Sequence, residues 1–194
     1  TCGQGGAITT NDDELAYRMR MLKTDGRAPG ALYQFTMMGN NYGSTNIACA
    51  ILCAQLERRY DLYTERCKIY SRYAINLERV EGVELQEARG LATTLSPWLF
   101  SILVNTERFD RARDGVPFCL TRDGIRQTLS EAGIESRPFF VPLHTLPMYR
   151  ENAKGEYPVT DELAKAGMNL PTYNGLKESE IDEICAVIKY ATTK

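Results

Sequence analysis

Three segments carry residue types that packing alone does not call for. In Arg137-Pro-Phe-Phe-Val-Pro-Leu-His144-Thr-Leu-Pro147 an arginine, two adjacent aromatics and the only histidine share a proline-stiffened stretch. Proline lowers the entropy lost in holding such a loop in one shape. A guanidinium can pair a diphosphate bidentately, and an aromatic face can stack on a base or sugar ring. The competing reading of His144 is a structural histidine. In Gly39-Asn-Asn-Tyr-Gly-Ser-Thr-Asn46, amide side chains precede a long helical stretch that Ser44 or Thr45 can cap. Amides beside a positive helix terminus suit an anion such as a phosphate; the plain alternative is a capped loop. In Thr1-Cys-Gly-Gln-Gly-Gly6 the glycines free the backbone to approach a ligand closely. The alternative is a tight turn. The order also differs from a phosphate-binding fingerprint, in which glycines follow a strand and open a helix.

The elements that must position these segments read as α/β. Residues 7–10 form a short apolar strand, and Asn11-Asp-Asp-Glu14 has the form of a helix start. Leu15, Met19 and Leu22 recur at helical spacing until Gly26. Residues 44–81 contain no Pro or Gly and keep a helical beat, with a kink expected near Asp61. Such a helix runs about 50 Å at 1.5 Å per residue, a length that suits a link between domains. Strands follow at 83–85 and 98–104. Thr121 caps a helix carrying Ile125, Leu129 and Ala132, and 134–141 reads as a strand interrupted by Pro138. A Pro-rich loop, a short helix near Thr160, and a last helix with Ile181, Ile184, Cys185 and Ile188 on one face complete the chain. The expected organisation is 1–43 as the end of a large domain, 44–81 as an interdomain helix, and 82–194 as a small α/β domain. The opening glycine turn and strand read as the interior of a longer polypeptide.

Charge and composition exclude several classes. Twenty-three basic against 25 acidic residues give a net charge of −2, without the basic excess of a nucleic-acid binder. No apolar run approaches the roughly 20 residues of a membrane helix. Cys49 and Cys53 are spaced to share a helix face, but two thiolates do not make a tetrahedral metal site. The six cysteines read as buried free thiols in a reducing, cytoplasmic setting.

Taken in order, these segments resemble the sugar aminotransferases of the DegT/DnrJ/EryC1/StrS family, the perosamine-synthase-like branch most of all. The resemblance covers essentially the whole chain. The family's Schiff-base lysine is followed within a few residues by T-x-G-E-G-G and a strand ending in T-N-D; here stands Thr1-Cys-Gly-Gln-Gly-Gly-Ala-Ile-Thr-Thr-Asn-Asp12. The family's G-Y-N-Y-R-M-T-N/D-I, with A-Q-L-E further on, is matched by Gly39-Asn-Asn-Tyr-Gly-Ser-Thr-Asn-Ile47 and Ala54-Gln-Leu-Glu57. The branch's G-I-E-S-R-P-F-F-x-P-L-H-x-L-P-x-Y matches Gly133 to Tyr149, and its N-L-P-T matches Asn169-Leu-Pro-Thr172.

The resemblance implies the type I, aspartate-aminotransferase-like fold, pyridoxal 5′-phosphate (PLP), and a homodimer with active sites at the interface. It implies transfer of an amino group from glutamate onto a keto group of a nucleotide-linked sugar. Gly5, Gly6 and Asn41 match cofactor-phosphate positions, Asn41 reaching toward the partner's cofactor. Arg137, Phe139, His144 and Tyr42 match positions that face the nucleotide-sugar. The Schiff-base lysine is expected just upstream of Thr1, so no catalytic residue is expected within the chain. Gln4, Asn40, Gly43 and Ser44 replace the family's Glu, Tyr, Arg and Met. A deoxysugar dehydratase of the same family, in which histidine replaces the lysine, and a non-catalytic relative are the alternative readings.

Overall fold

The computed structural model describes residues 2–86, 96–105, 111–113, 116–118 and 120–193; Thr1, Cys119 and Lys194 lie outside them. The chain divides into two compact units, Thr1–Tyr60 and Asp61–Lys194.

In the first unit, helix α1 (Asp13–Leu22) starts where the Asp12 carboxylate accepts the Leu15 N–H at 2.9 Å. Asp13 and Glu14 in its first turn complement the positive helix end. Beyond α1 the backbone doubles back. The Asp25 N–H donates to the Asn40 carbonyl, the Asn40 N–H to that of Leu22, and the Tyr42 N–H to that of Lys23. Two glycines permit the crossing. A Cβ at Gly26 would stand 1.8 Å from the Met37 carbonyl oxygen, and one at Gly39 would stand 2.2 Å from the Gly26 nitrogen. Helix α2 (Asn46–Glu57) is capped by Thr45, whose hydroxyl accepts the Ala48 N–H at 3.3 Å. The strand expected at 7–10 is extended coil instead, because among the described residues no neighbouring strand completes its ladder.

The single helix expected over 44–81 is two helices. Helix α3 (Arg59–Leu77) follows an interruption at Arg58, not at Asp61. The Arg59 guanidinium takes the Leu56 carbonyl at 3.0 Å, satisfying a carbonyl of the ending helix from the side. All but the first two residues of α3 belong to the second unit.

The second unit is built on a four-stranded antiparallel sheet. Its strands are β1 (Val83–Leu85), β2 (Phe100–Val104), β5 (Arg137–Pro138) and β6 (Gly167–Leu170), in the spatial order β1-β2-β6-β5. A separate hairpin joins β3 (Arg111–Arg113) to β4 (Val116–Phe118). Phe100, Ile102 and Val104 alternate toward one face, joined by Met168 and Leu170. That face is covered by α3, α4 (Arg122–Glu131) and α6 (Glu178–Thr193), through Tyr73 and Leu77, Ile125 and Leu129, and Ile181 and Ile188. Helix α5 (Pro158–Ala166) leads directly into β6.

The strand expected over 98–104 begins at Phe100, and that expected over 134–141 shrinks to Arg137–Pro138. Proline has no N–H to give the ladder, which confines β5 to the sheet edge. Strand β6 was not expected; its Gly and Asn disfavour a strand, and tertiary pairing overrides them.

Candidate functional site

Each unit brings some of the chemistry-bearing residues together. In the first, the glycine segment lies against the asparagine loop. A Cβ at Gly5 would come 3.7 Å from the Ser44 Oγ and 3.8 Å from the Cys2 Sγ, whereas none of the surrounding atoms comes within 4 Å of one at Gly6. Thr45 commits its hydroxyl to the cap of α2, while the Ser44 hydroxyl faces Gly5. Asn41 is exposed, its backbone held in an antiparallel bridge with Thr24, and Tyr42 beside it is 74% exposed. The Gly5 backbone and the Ser44 hydroxyl thus meet just before a 12-residue helix, and backbone and hydroxyl donors at a helix start are the groups that suit an anion.

In the second unit, Arg137 sits on edge strand β5 opposite Asn169, and Asn169 lies opposite Ser101 on β2. The Ser101 hydroxyl donates to the Asn169 Oδ1 at 2.8 Å, so the Asn169 amide presents its NH2 as a donor. The Arg137 guanidinium pairs with Glu135 at 3.2 Å. Arg137 and Asn169 line a groove of about 580 Å³ with Thr172, Tyr173, Glu180 and Glu183.

His144 stands elsewhere, in a 3₁₀ turn (Leu143–Thr145). Its ring stacks on Tyr157 at a centroid distance of 4.7 Å, and its Nε2 lies 2.9 Å from the Asp161 Oδ1. Phe139 is partly buried against Gly167, while its neighbour Phe140 is 94% exposed. Sequence reasoning overlooked Asn169 as a partner of Arg137, although it stands in the quoted N-L-P-T motif. It also overlooked Tyr157 and Asp161. No periodicity links either to His144; only the packing of α5 does.

A family model describing the DegT/DnrJ/EryC1/StrS aminotransferases matches residues 1–189. The chain belongs to this family. Among its relatives is the GDP-perosamine synthase of Caulobacter vibrioides, 36% identical over 188 residues, covering 97% of this chain and 48% of the relative. The chain thus spans about half the length of the curated relatives it matches. A crystal structure of a DegT/DnrJ/EryC1/StrS aminotransferase from Brucella abortus superposes with a TM-score of 0.78 at 28% identity, covering 95% of this chain and 45% of that one. DesV of S. venezuelae superposes with a TM-score of 0.80 at 23% identity, covering 95% and 46%. The fold is therefore the expected α/β one, the C-terminal part of the type I PLP-dependent transferase fold.

The cofactor of DegT/DnrJ/EryC1/StrS aminotransferases is PLP. Gly5 and Ser44, which the structure brings together, put a backbone and a hydroxyl side by side with no acidic side chain between them, as a phosphate group requires of its surroundings. The described lysines, Lys23, Lys68, Lys154, Lys165, Lys177 and Lys189, are all exposed. Among the described residues no three His, Cys, Asp or Glu side chains converge on a metal position, and no helix is long and apolar enough to cross a membrane. Cys49 and Cys53 are exposed and Cys185 is buried; the expectation of uniformly buried thiols is corrected, because α2 buries none of its side chains.

Proposed function

We propose that this chain is part of a PLP-dependent aminotransferase that moves an amino group from glutamate onto a keto group of a nucleotide-linked deoxysugar. The family match across residues 1–189 is the observation that carries the reading. In it, 1–43 end the PLP-binding domain, 44–81 link the domains, and 82–194 form the small domain. The enzyme is a cytoplasmic homodimer, and Asn41 serves the cofactor of the second copy.

The backbone of Gly5 and Gly6, with the Ser44 hydroxyl beside it, would hold the phosphate of one cofactor, and the Asn41 side chain would reach that of the second copy. PLP supplies the electron sink for the chemistry, and the protein supplies orientation and charge. Arg137 pairs with the diphosphate of the substrate, and Phe139, Tyr42 and His144 orient its nucleotide and sugar. Asp161 and Tyr157 limit how the imidazole can turn. Where the family carries arginine, Gly43 leaves its surroundings open, with nothing within 4 Å of a Cβ position. That room suits a substrate bulkier on this side.

A Schiff-base lysine needs a shaped, apolar pocket to lower its pKa. The exposure of all six described lysines argues against any of them in that role.

Grafting this chain in place of the matching half of the Caulobacter enzyme tests the reading. 2-Oxoglutarate formed from glutamate in the presence of a GDP-linked keto-deoxysugar is measured. Turnover that falls at least tenfold on Asn41→Ala or His144→Ala supports it. Turnover indifferent to both substitutions contradicts the assigned site.

A further inference from the structure

Asn174-Gly175 is the one Asn-Gly pair in the sequence. Glycine lacks the Cβ that elsewhere screens the backbone nitrogen, so the Gly175 amide can attack the Asn174 side-chain carbonyl. In that step a bond forms from the Gly175 nitrogen to the Asn174 Cγ, the Cγ–Nδ2 bond breaks, and ammonia leaves with the proton that Gly175 gives up. Water then opens the cyclic imide at either carbonyl and leaves aspartate or isoaspartate at 174. Ring closure needs the Gly175 nitrogen on the same side as the Asn174 Cβ and a side-chain amide free to turn toward it.

The fold denies both. The Leu176 N–H donates to the Tyr173 carbonyl at 3.3 Å, closing a turn with Gly175 at φ +96°. Among the described non-glycine residues only Asp25 has a positive φ, so Asn174 does not, and the turn is of type II. Its first corner has ψ of about +120°, which swings the Gly175 nitrogen away from the Asn174 Cβ. Helix α3 holds the reacting groups. Glu65 accepts both nitrogens, the Gly175 N–H on Oε1 at 2.6 Å and the Asn174 Nδ2 on Oε2 at 3.0 Å. The Asn174 Nδ2 also donates to the Leu62 carbonyl at 2.9 Å, and the Arg66 Nε donates to the Asn174 Oδ1 at 2.8 Å. Leu62, Glu65 and Arg66 stand at i, i+3 and i+4, so one face of α3 restrains nucleophile, leaving group and carbonyl oxygen together.

We propose that Asn174-Gly175 is a deamidation site that α3 seals in the folded chain and that opens when α3 lifts from the turn. Deamidation makes the opening permanent. It replaces the Nδ2 donor with an oxygen that faces two acceptors, the Leu62 carbonyl and the Glu65 carboxylate. Isoaspartate also adds a backbone atom to the turn. Tyr173, the first residue of the turn, lines the groove beside Arg137, so the change falls at the edge of that groove.

Incubation of the 194-residue chain at mildly alkaline pH, followed by peptide mapping of aspartate and isoaspartate at 174, tests it. Conversion in the native chain is expected to be slower than in urea by about tenfold or more, since it waits on local opening. Glu65→Ala is expected to raise the native rate about tenfold, as the opening becomes easier. Glu65→Gln, which keeps one acceptor for the two nitrogens, raises it less and serves in its place should the alanine variant not fold. Lys68→Gln, on α3 and exposed, leaves the rate unchanged. Each variant is incubated well below its own melting temperature, so that global unfolding does not set the rate. Equal rates in the native and urea-treated parent, or a native rate that neither Glu65 variant raises, overturn the proposal.

Discussion

The ring of Phe139 packs on Gly167 so closely that a Cβ at 167 would stand 2.2 Å from the Phe139 Cδ2. The Phe139 N–H also donates to the Gly167 carbonyl at 3.0 Å, continuing the pairing of β5 with β6 past Pro138. Gly167→Ala therefore forces the ring or the edge strand to move. It is expected to lower stability by about 1–3 kcal/mol, measured by urea unfolding. The double variant Gly167→Ala/Phe139→Ala is expected to recover part of what the aromatic clash costs, which the double-mutant cycle reads as coupling.

Arg66 on α3 holds three chain segments at once. Its guanidinium donates to the Trp98 carbonyl, to the Thr172 carbonyl at 3.0 Å and to the Asn174 side chain at 2.8 Å. Arg66→Ala strips the donors from all three acceptors. A loss of about 2–4 kcal/mol is expected in thermal or denaturant unfolding, because hydrogen bonds from a charged donor are worth more than neutral ones. Arg66→Lys recovers little, since an ammonium cannot reproduce the planar fork.

Acid titration of stability reports a second anchor. Hydrogen bonds from Arg72 and then Asn76 hold the Asp182 carboxyl below the usual carboxylate range. A carboxylate whose folded pKa is depressed contributes stability above its unfolded pKa, near 3.9, and loses it as pH falls through the lower folded value. Asp182→Asn should flatten the acid limb of the stability profile below about pH 4 and change little of its slope at neutral pH. The group is exposed at the surface, so the effect is modest and shrinks with added salt.

Thiol reactivity should separate the cysteines. Burial pushes the Cys185 thiol up to about 11, which leaves little thiolate at neutral pH. Cys49 and Cys53 are exposed on α2. Iodoacetamide followed by peptide mapping is expected to label these two in the native chain and Cys185 only after denaturation. Labelling of Cys185 at a comparable native rate would mean that α6 does not seal the core.

Much of this was legible beforehand because it rests on local chemistry. Thr121 caps its helix as its position announces, α1 starts one residue later than the Asn11-to-Glu14 spacing indicates, with Asp12 as its cap, and the Ile181, Ile184, Cys185 and Ile188 face of α6 is buried as its period requires. What local reasoning could not see were long-range pairings. Strand β6, with Gly167 and Asn169, exists because β2 and β5 flank it, and residues 7–10 fail as a strand for want of such neighbours. At the helix break at Arg58 the Arg59 side chain takes the Leu56 carbonyl, a contact that no composition rule marks. At the site, the glycine and asparagine segments were found from their residue types, and their meeting at Gly5 and Ser44 came from the fold. The environment of His144 depends on Asp161, seventeen residues along the chain and on another element.

The central claim is that residues 1–194 furnish the rim of a PLP site whose lysine lies elsewhere. The direct measurement is borohydride reduction of the chain after incubation with PLP, followed by mapping of modified lysines. The expected result is weak labelling scattered over the exposed lysines, with no single position approaching one cofactor per chain. Stoichiometric modification of one lysine within 1–194, abolished by its replacement with alanine, would contradict the claim.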